Sequence, residues 1–180
     1  MEFVMTLWLP IIVGTVVLWF LSFFAWALLP HHFGDTQKAP GEEELMQFIK
    51  EANIPTGNYL FPHAENPKAQ GTKEYVDNYT AGPRGMLCVY KMPNMPVNMI
   101  NTILYFLVTV FTIAYITSVA CPKESGFMQV FRIAGTIGVL TYASSGFLNR
   151  IWFTARHWTH VLDGTVYGLV LGLIFGMLWH

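Results

Sequence analysis

The sequence predicts an all-α integral membrane protein with four transmembrane helices and a loop domain of short helices and two short strands. Three observations carry this. Of 180 residues, 53% are hydrophobic and only 12% charged, about half the charge of an ordinary water-facing surface. Apolar stretches recur at the length of about 20 residues that a helix needs to cross a bilayer core of about 30 Å. Between the first and second of them the composition turns polar and proline-punctuated. Residues 1–29 are therefore read as the first transmembrane helix, 30–98 as the loop domain and 99–180 as a three-helix transmembrane region.

The first span runs from Phe3 to Leu29 without a charge, and the second from Met99 to Ala120, also uncharged. The third, Phe127 to Leu148, holds a single charge, Arg132, near its start. There a long side chain can snorkel to the interface, although an ionisable group in a span is also a functional candidate. The fourth, Trp158 to Trp179, carries only Asp163. Pro10 is an expected kink, tolerable in lipid where neighbours satisfy the released carbonyl. Trp8, Trp26, Trp152, Trp158 and Trp179 fall near span ends, as an aromatic belt requires. The first span opens Met1-Glu2, has no basic leader and exceeds a signal-peptide core, so it is expected to be a retained helix.

Four crossings put the N-terminus, the Cys121–Gly126 turn and the C-terminus on one side. Lys123 and Arg132 are the basic residues there, against Lys38, Lys50, Lys68, Lys73, Arg84, Lys91, Arg150 and Arg156 on the other. Basic residues close to span ends favour the cytoplasm, so the expected orientation has both termini outside and the long loop cytoplasmic. Cys88 and Cys121 then lie on opposite sides.

Within the loop, Gly41–Asn53 places Leu45, Phe48, Ile49 and Ala52 at helical spacing behind three glutamates in the first turn, the signature of an amphipathic helix. Thr72–Tyr79 reads as a second helix, capped by Thr72 and stopped by Gly82-Pro83. Tyr59–Phe61 and Gly85–Lys91 are short candidate strands that could pair.

Two patterns bear on function. Gly164, Gly168, Gly172 and Gly176 recur every fourth residue in the fourth span, a small-residue row that lets another backbone approach closely. Ala134, Gly138 and Gly146 in the third span are the expected partner row, with Gly135 and Ala143 on the adjoining one. Packing within the bundle and association with another subunit or copy both fit the row. Beside it, His157, His160 and Asp163 follow an i, i+3, i+6 spacing that holds them near one helix face, and His31, His32 and Asp35 follow the first span at the same end. Imidazoles and carboxylates so grouped can ligate zinc, iron or copper, relay protons or simply line the interface.

Other classes are excluded. A net charge of −1 leaves no basic excess for nucleic acid, and two cysteines make no disulfide framework. No Walker, His-Glu-x-x-His or Gly-x-Ser-x-Gly sequence occurs, and no histidine stands mid-span to hold haem. No cofactor is expected beyond a metal ion at the His/Asp positions as an alternative.

At PHHFGD (Pro30–Asp35), GNYLFPH (Gly57–His63), GPRGML (Gly82–Leu87), VFRIAGT (Val130–Thr136), NRIWF (Asn149–Phe153) and DGTVYGL (Asp163–Leu169), the chain resembles a group of small, uncharacterised bacterial inner-membrane proteins with four spans. The resemblance covers nearly the whole chain. It implies a bacterial inner-membrane location and carries no activity. The expected function is a non-catalytic structural or accessory subunit of a larger membrane complex, with the lipid bilayer and other membrane subunits or copies of itself as partners. The alternatives are a membrane protein with a His/Asp metal-binding or proton-handling site, and a channel formed by oligomerisation through the glycine face.

Overall fold

Helix follows apolarity along this chain, and the points where helix ends follow its prolines and glycines. The computed structural model describes residues 2–152 and 158–179. Among these, α1 (Glu2–Phe23) continues through a π-helical turn, Phe24–Leu28, and a 3-10 turn, Pro30–His32. Pro30 explains the break: a residue before proline avoids the helical region, and Leu29 is extended with φ −87° and ψ 138°. Pro10 lies inside α1, buried, with helix on both sides.

Three described helices are long and apolar enough to cross a membrane: Met5–Leu28, α5 (Met95–Ala120) and α7 (Trp158–Leu178). The sequence reading has a fourth. The corresponding α6 (Phe127–Trp152) matches the 26 residues of α5, about 39 Å at 1.5 Å per residue. It carries Arg132 and Arg150 and is less apolar, so composition alone leaves it outside the group. Arg132 is exposed one turn into the helix.

The glycine row of α7 is covered by α6 of the same chain. Around a Cβ placed on Gly172 the nearest atoms are Gly135 Cα and the Phe131 carbonyl, each at 2.9 Å, and around one on Gly176 it is the Phe127 ring at 2.7 Å. One on Gly168 would meet the Gly138–Val139 backbone, and one on Gly164 the Tyr142–Ala143 backbone. Rising numbers on α7 meet falling numbers on α6, so the helices are antiparallel and approach backbone to backbone. The facing surface takes Gly138 from the expected row and Gly135 and Ala143 from the adjoining one. Gly135, Gly138 and the Tyr142–Ala143 peptide make the close approaches, whereas Ala134 is buried in the wider core beside Val130, Leu171 and Phe175.

α1 packs against both α7 and α5 at Gly14, where a Cβ would stand 2.8 Å from Leu171 and 3.2 Å from Val110. The two buried threonines are satisfied by their own helices: Thr15 and Thr117 donate to the carbonyls of Ile11 and Ile113 at 2.8 and 2.7 Å. Thr109 on α5 and Tyr142 on α6 share a hydrogen bond of 2.8 Å. Trp179 Nε1 donates to the Pro122 carbonyl at 3.0 Å, tying the far end of α7 to the α5–α6 turn.

The chain divides into two units, the helical one just described (residues 1–37 and 95–180) and Lys38–Asn94. In the second, α2 (Glu42–Glu51) starts after Gly41 at φ 68°, a left-handed conformation that favours glycine. β1 (Gly57–Phe61) and β2 (Gly85–Val89) pair antiparallel, Gly57 with Val89 through Phe61 with Gly85. Between them lie α3 (Pro67–Gln70) and α4 (Lys73–Ala81), the latter capped by Thr72 Oγ1 accepting from Tyr75 N at 3.3 Å.

Candidate functional site

At the end of α1 the chain performs three local manoeuvres between Phe24 and Asp35, and each places a side chain. The π turn, closed by Leu29 N donating to the Phe24 carbonyl at 3.1 Å, carries Trp26. The 3-10 turn carries His31 and His32. Its continuation, with Asp35 N donating to the His32 carbonyl at 3.0 Å, brings Asp35 back toward His32. Opposite them, the first two turns of α7 present Thr159, His160 and Asp163.

These two corners meet. His31 Nε2 donates to Asp163 Oδ1 at 2.9 Å, and His32 Nε2 lies 2.8 Å from Asp163 Oδ2. The other nitrogen of His32, Nδ1, donates to Asp35 Oδ2 at 2.5 Å. Thr159 Oγ1 adds a bond to the same oxygen at 2.9 Å, and His160 Nε2 stands 3.8 Å away from it. The Trp26 ring stacks on His32 with centroids 4.1 Å apart and planes 12° from parallel. His32 is 7% exposed and Asp163 9%, so the pair is sealed while His31 and His160 look outward.

Electrostatics follow from this enclosure. Burial opposes charge on His32, but two carboxylates hydrogen-bond it and attract it, and together they hold its pKa above the usual value. Burial likewise opposes charge on Asp35, and the His32 and Thr159 hydrogen bonds with the charges of His32 and His160 outweigh it, lowering its pKa. Asp35 Oδ1 is buried with no hydrogen-bond partner among the described residues.

Two overlapping donor groups result, His31–His32–Asp163 and His32–Asp35–His160, each with its ligand atoms within 4.8 Å of one another. Of the six candidate positions read from the sequence, His31, His32, Asp35, His160 and Asp163 are brought together; His157 lies outside the described residues. His160, in register with the glycine row, is the most peripheral of the five. Trp26 and Thr159 escaped sequence reasoning. A tryptophan near a span end reads as belt, and a threonine beside a tryptophan has no motif.

Known proteins add nothing to this geometry: no family model matches the chain, and none of the curated proteins or solved structures matches it.

Proposed function

We propose that this is a four-span membrane protein whose α1–α7 corner binds one divalent transition-metal ion through His31 Nε2, His32 Nε2 and the Asp163 carboxylate. One observation carries the reading. His32 turns Nε2 toward His31 and Asp163 while Nδ1–H is held by Asp35. A metal-ligating histidine is fixed in this way, its second nitrogen donating to a carboxylate that sets tautomer and basicity. Two imidazoles and one carboxylate suit zinc-class ions, and three protein ligands leave a position for water or a small ligand.

The fourth crossing is supported by α6 lying antiparallel along α7 from Phe127 to Ala143, since a helix in contact with a spanning helix over that length shares its depth. The basic residues flanking the long loop support its cytoplasmic placement, in the bacterial inner membrane that the sequence resemblance implies. The α7 glycines face α6 of the same chain, so they do not by themselves argue for an outside subunit or a channel.

The test is direct titration. Protein in lipid nanodiscs, stripped with chelator and titrated with Zn²⁺, should bind close to one equivalent per chain, and Asp163→Asn should bind none. His160→Ala should retain the ion. Loss in His160→Ala with retention in His31→Ala would move the ion to the other face of His32. Absence of stoichiometric binding in the unaltered protein would leave the cluster as a hydrogen-bonded closure of the bundle end.

A further inference from the structure

Arg132 carries a charge in the body of a helix, and the protein itself does not answer that charge. The residue is exposed on α6, and among the described residues it makes no hydrogen bond, ion pair or ring contact. Ionisable groups at membrane depth are rare and pair with something where they occur. One turn further along the same face stands Thr136, also exposed and also without a hydrogen bond among the described residues. Elsewhere in the bundle Thr102, Thr112, Thr141 and Thr165 each donate to the carbonyl four residues earlier. Thr136 does not take that bond, so its hydroxyl proton is uncommitted.

Both residues line a groove of about 400 Å³ between α6 and α7, whose other walls include Val139, Leu140 and Leu169. Leu140 and Leu169 are exposed, so the groove opens outward, away from the core. Along α6 its lining changes character in one direction, from a guanidinium at 132 through a hydroxyl at 136 to aliphatic side chains at 139 and 140. Positions 132, 136 and 140 are about 6 Å apart along the axis. With α6 crossing the bilayer, as proposed above, its length of about 39 Å exceeds a hydrocarbon core of about 30 Å by about 4–5 Å at each end. Arg132, about 7.5 Å from the start of the helix, then stands near the edge of the core. Long helical side chains lean toward the N-terminus, here toward the headgroups, while Thr136 lies one turn deeper.

We infer that this groove holds one anionic phospholipid, its phosphate on the Arg132 guanidinium, a glycerol ester carbonyl on Thr136 Oγ1 and an acyl chain along Val139, Leu140 and Leu169. Each group selects one part of the occupant. An unpaired guanidinium selects an anion, and its planar fork suits phosphate oxygens. A free hydroxyl one turn deeper selects an acceptor, and the aliphatic walls below it select hydrocarbon. Phosphate, ester and chain follow one another in that order and at those depths only in a lipid, whereas a free anion would satisfy Arg132 alone. The inference rests on α6 crossing the bilayer. It is independent of the metal, because none of the proposed metal ligands lines the groove.

The experiment titrates the full chain in detergent micelles with dioleoylphosphatidylglycerol and counts bound lipid by native mass spectrometry. Dioleoylphosphatidylcholine, with the same chains and no net charge, is titrated beside it. The unaltered protein should take one phosphatidylglycerol ahead of any phosphatidylcholine. Arg132→Gln has no protein partner to lose, should melt no lower and should bind phosphatidylglycerol about fivefold more weakly, the effect of one basic residue at a membrane surface. Arg132→Lys should keep most of the preference. Thr136→Val and Leu140→Trp should weaken both lipids alike, since both carry the ester and the chains. Arg150→Gln, on the same helix but outside the groove, should leave the preference unchanged. Glycerophosphoglycerol, the same headgroup without chains, should not compete. Equal affinity for the two lipids in the unaltered protein, an unchanged preference in Arg132→Gln, the same loss in Arg150→Gln, or competition by glycerophosphoglycerol would each overturn the proposal. The crossing is read separately, by thiol labelling of Glu124→Cys and Ile151→Cys. Labelling on opposite sides without a lipid preference fails this inference and leaves the crossing standing, whereas labelling on one side removes both.

Discussion

His32 Nδ1 and Asp35 Oδ2 are 2.5 Å apart, three residues from each other in the chain, and this short bond orients the ring so that Nε2 faces Asp163. Every property of the corner depends on that orientation. Asp35→Asn keeps the side-chain size but removes the acceptor charge, and the amide is free to present its NH2 group to the ring instead. Zinc affinity is expected to fall about 10- to 100-fold, the usual effect of losing a carboxylate behind a ligating histidine, with stoichiometry unchanged. Calorimetric titration of the two proteins checks it. Equal affinities would mean that Asp35 does not act through His32.

In the metal-free protein both nitrogens of His32 face carboxylates, which accept only, so the folded state favours the imidazolium. The raised pKa of His32 then contributes stability that is fully present below its ordinary value of 6.5 and is lost as pH rises through the higher folded value. Asp35, with a lowered pKa, contributes stability present above 3.8 and lost as pH falls through the folded value. The groups facing His32 are Asp35 from its own turn, Asp163 and His160 from α7, and His31. Melting temperature of chelated protein should therefore decline as pH rises above 6.5, and His32→Gln should flatten the decline. Zinc binding displaces the Nε2 proton, so affinity should weaken as pH falls, by about tenfold per unit once His32 is protonated. A melting temperature indifferent to pH in the unaltered protein would contradict the imidazolium.

Much of this architecture was legible in the linear sequence, for identifiable reasons. The uncharged runs longer than twenty residues are α1 and α5, α7 is apolar but for Asp163 in its second turn, and Thr72 and Gly82 bracket α4 because their side chain and backbone freedom serve those caps. Counting crossings even placed His31, His32 and Asp35 at the same end as His160 and Asp163. That they touch depends on the order of helices around the bundle, which no periodicity in one helix encodes. The partition of His32, one nitrogen to each carboxylate, depends on the π and 3-10 turns, of which Pro30 announces only the break. Tyr167 is illegible in the sequence for the opposite reason: an aromatic residue in an apolar helix reads as core, and only three dimensions reveal that its hydroxyl has no hydrogen-bond partner among the described residues.

At Gly168 the α6–α7 contact leaves room for hydrogen and nothing larger. A Cβ at Gly168 would run into the Val139 nitrogen and the Gly138 carbonyl carbon, which are backbone and cannot rotate aside. Gly168→Ala should therefore destabilise the bundle by about 1–3 kcal/mol through overpacking. At Gly126 nothing lies within 4 Å of a Cβ, and Gly126→Ala should be neutral. Leu171 is fully buried and is itself core, so the matched apolar control is exposed Leu173→Ile. Thermal unfolding in one detergent compares the four proteins. A Gly168→Ala variant as stable as Gly126→Ala would mean that the helices are farther apart than the structure has them.

Orientation and the crossing of α6 are testable with thiols, but the two native cysteines are unequal reporters. Cys88 is exposed on β2, whereas Cys121 is 2% exposed, and burial pushes its pKa up. Thiolate is the reactive form, so an impermeant maleimide should pass Cys121 by on either side of the membrane. The α5–α6 turn is better reported by Glu124→Cys, an exposed position, and the far end of α6 by Ile151→Cys, which is 75% exposed. With the termini outside and four crossings, Glu124→Cys labels in intact cells, while Cys88 and Ile151→Cys label only after permeabilisation. Cys88 reacting in intact cells would invert the orientation. Ile151→Cys reacting together with Glu124→Cys would mean that α6 returns on the side where it started, and the contact with α7 would then have to form without a fourth crossing.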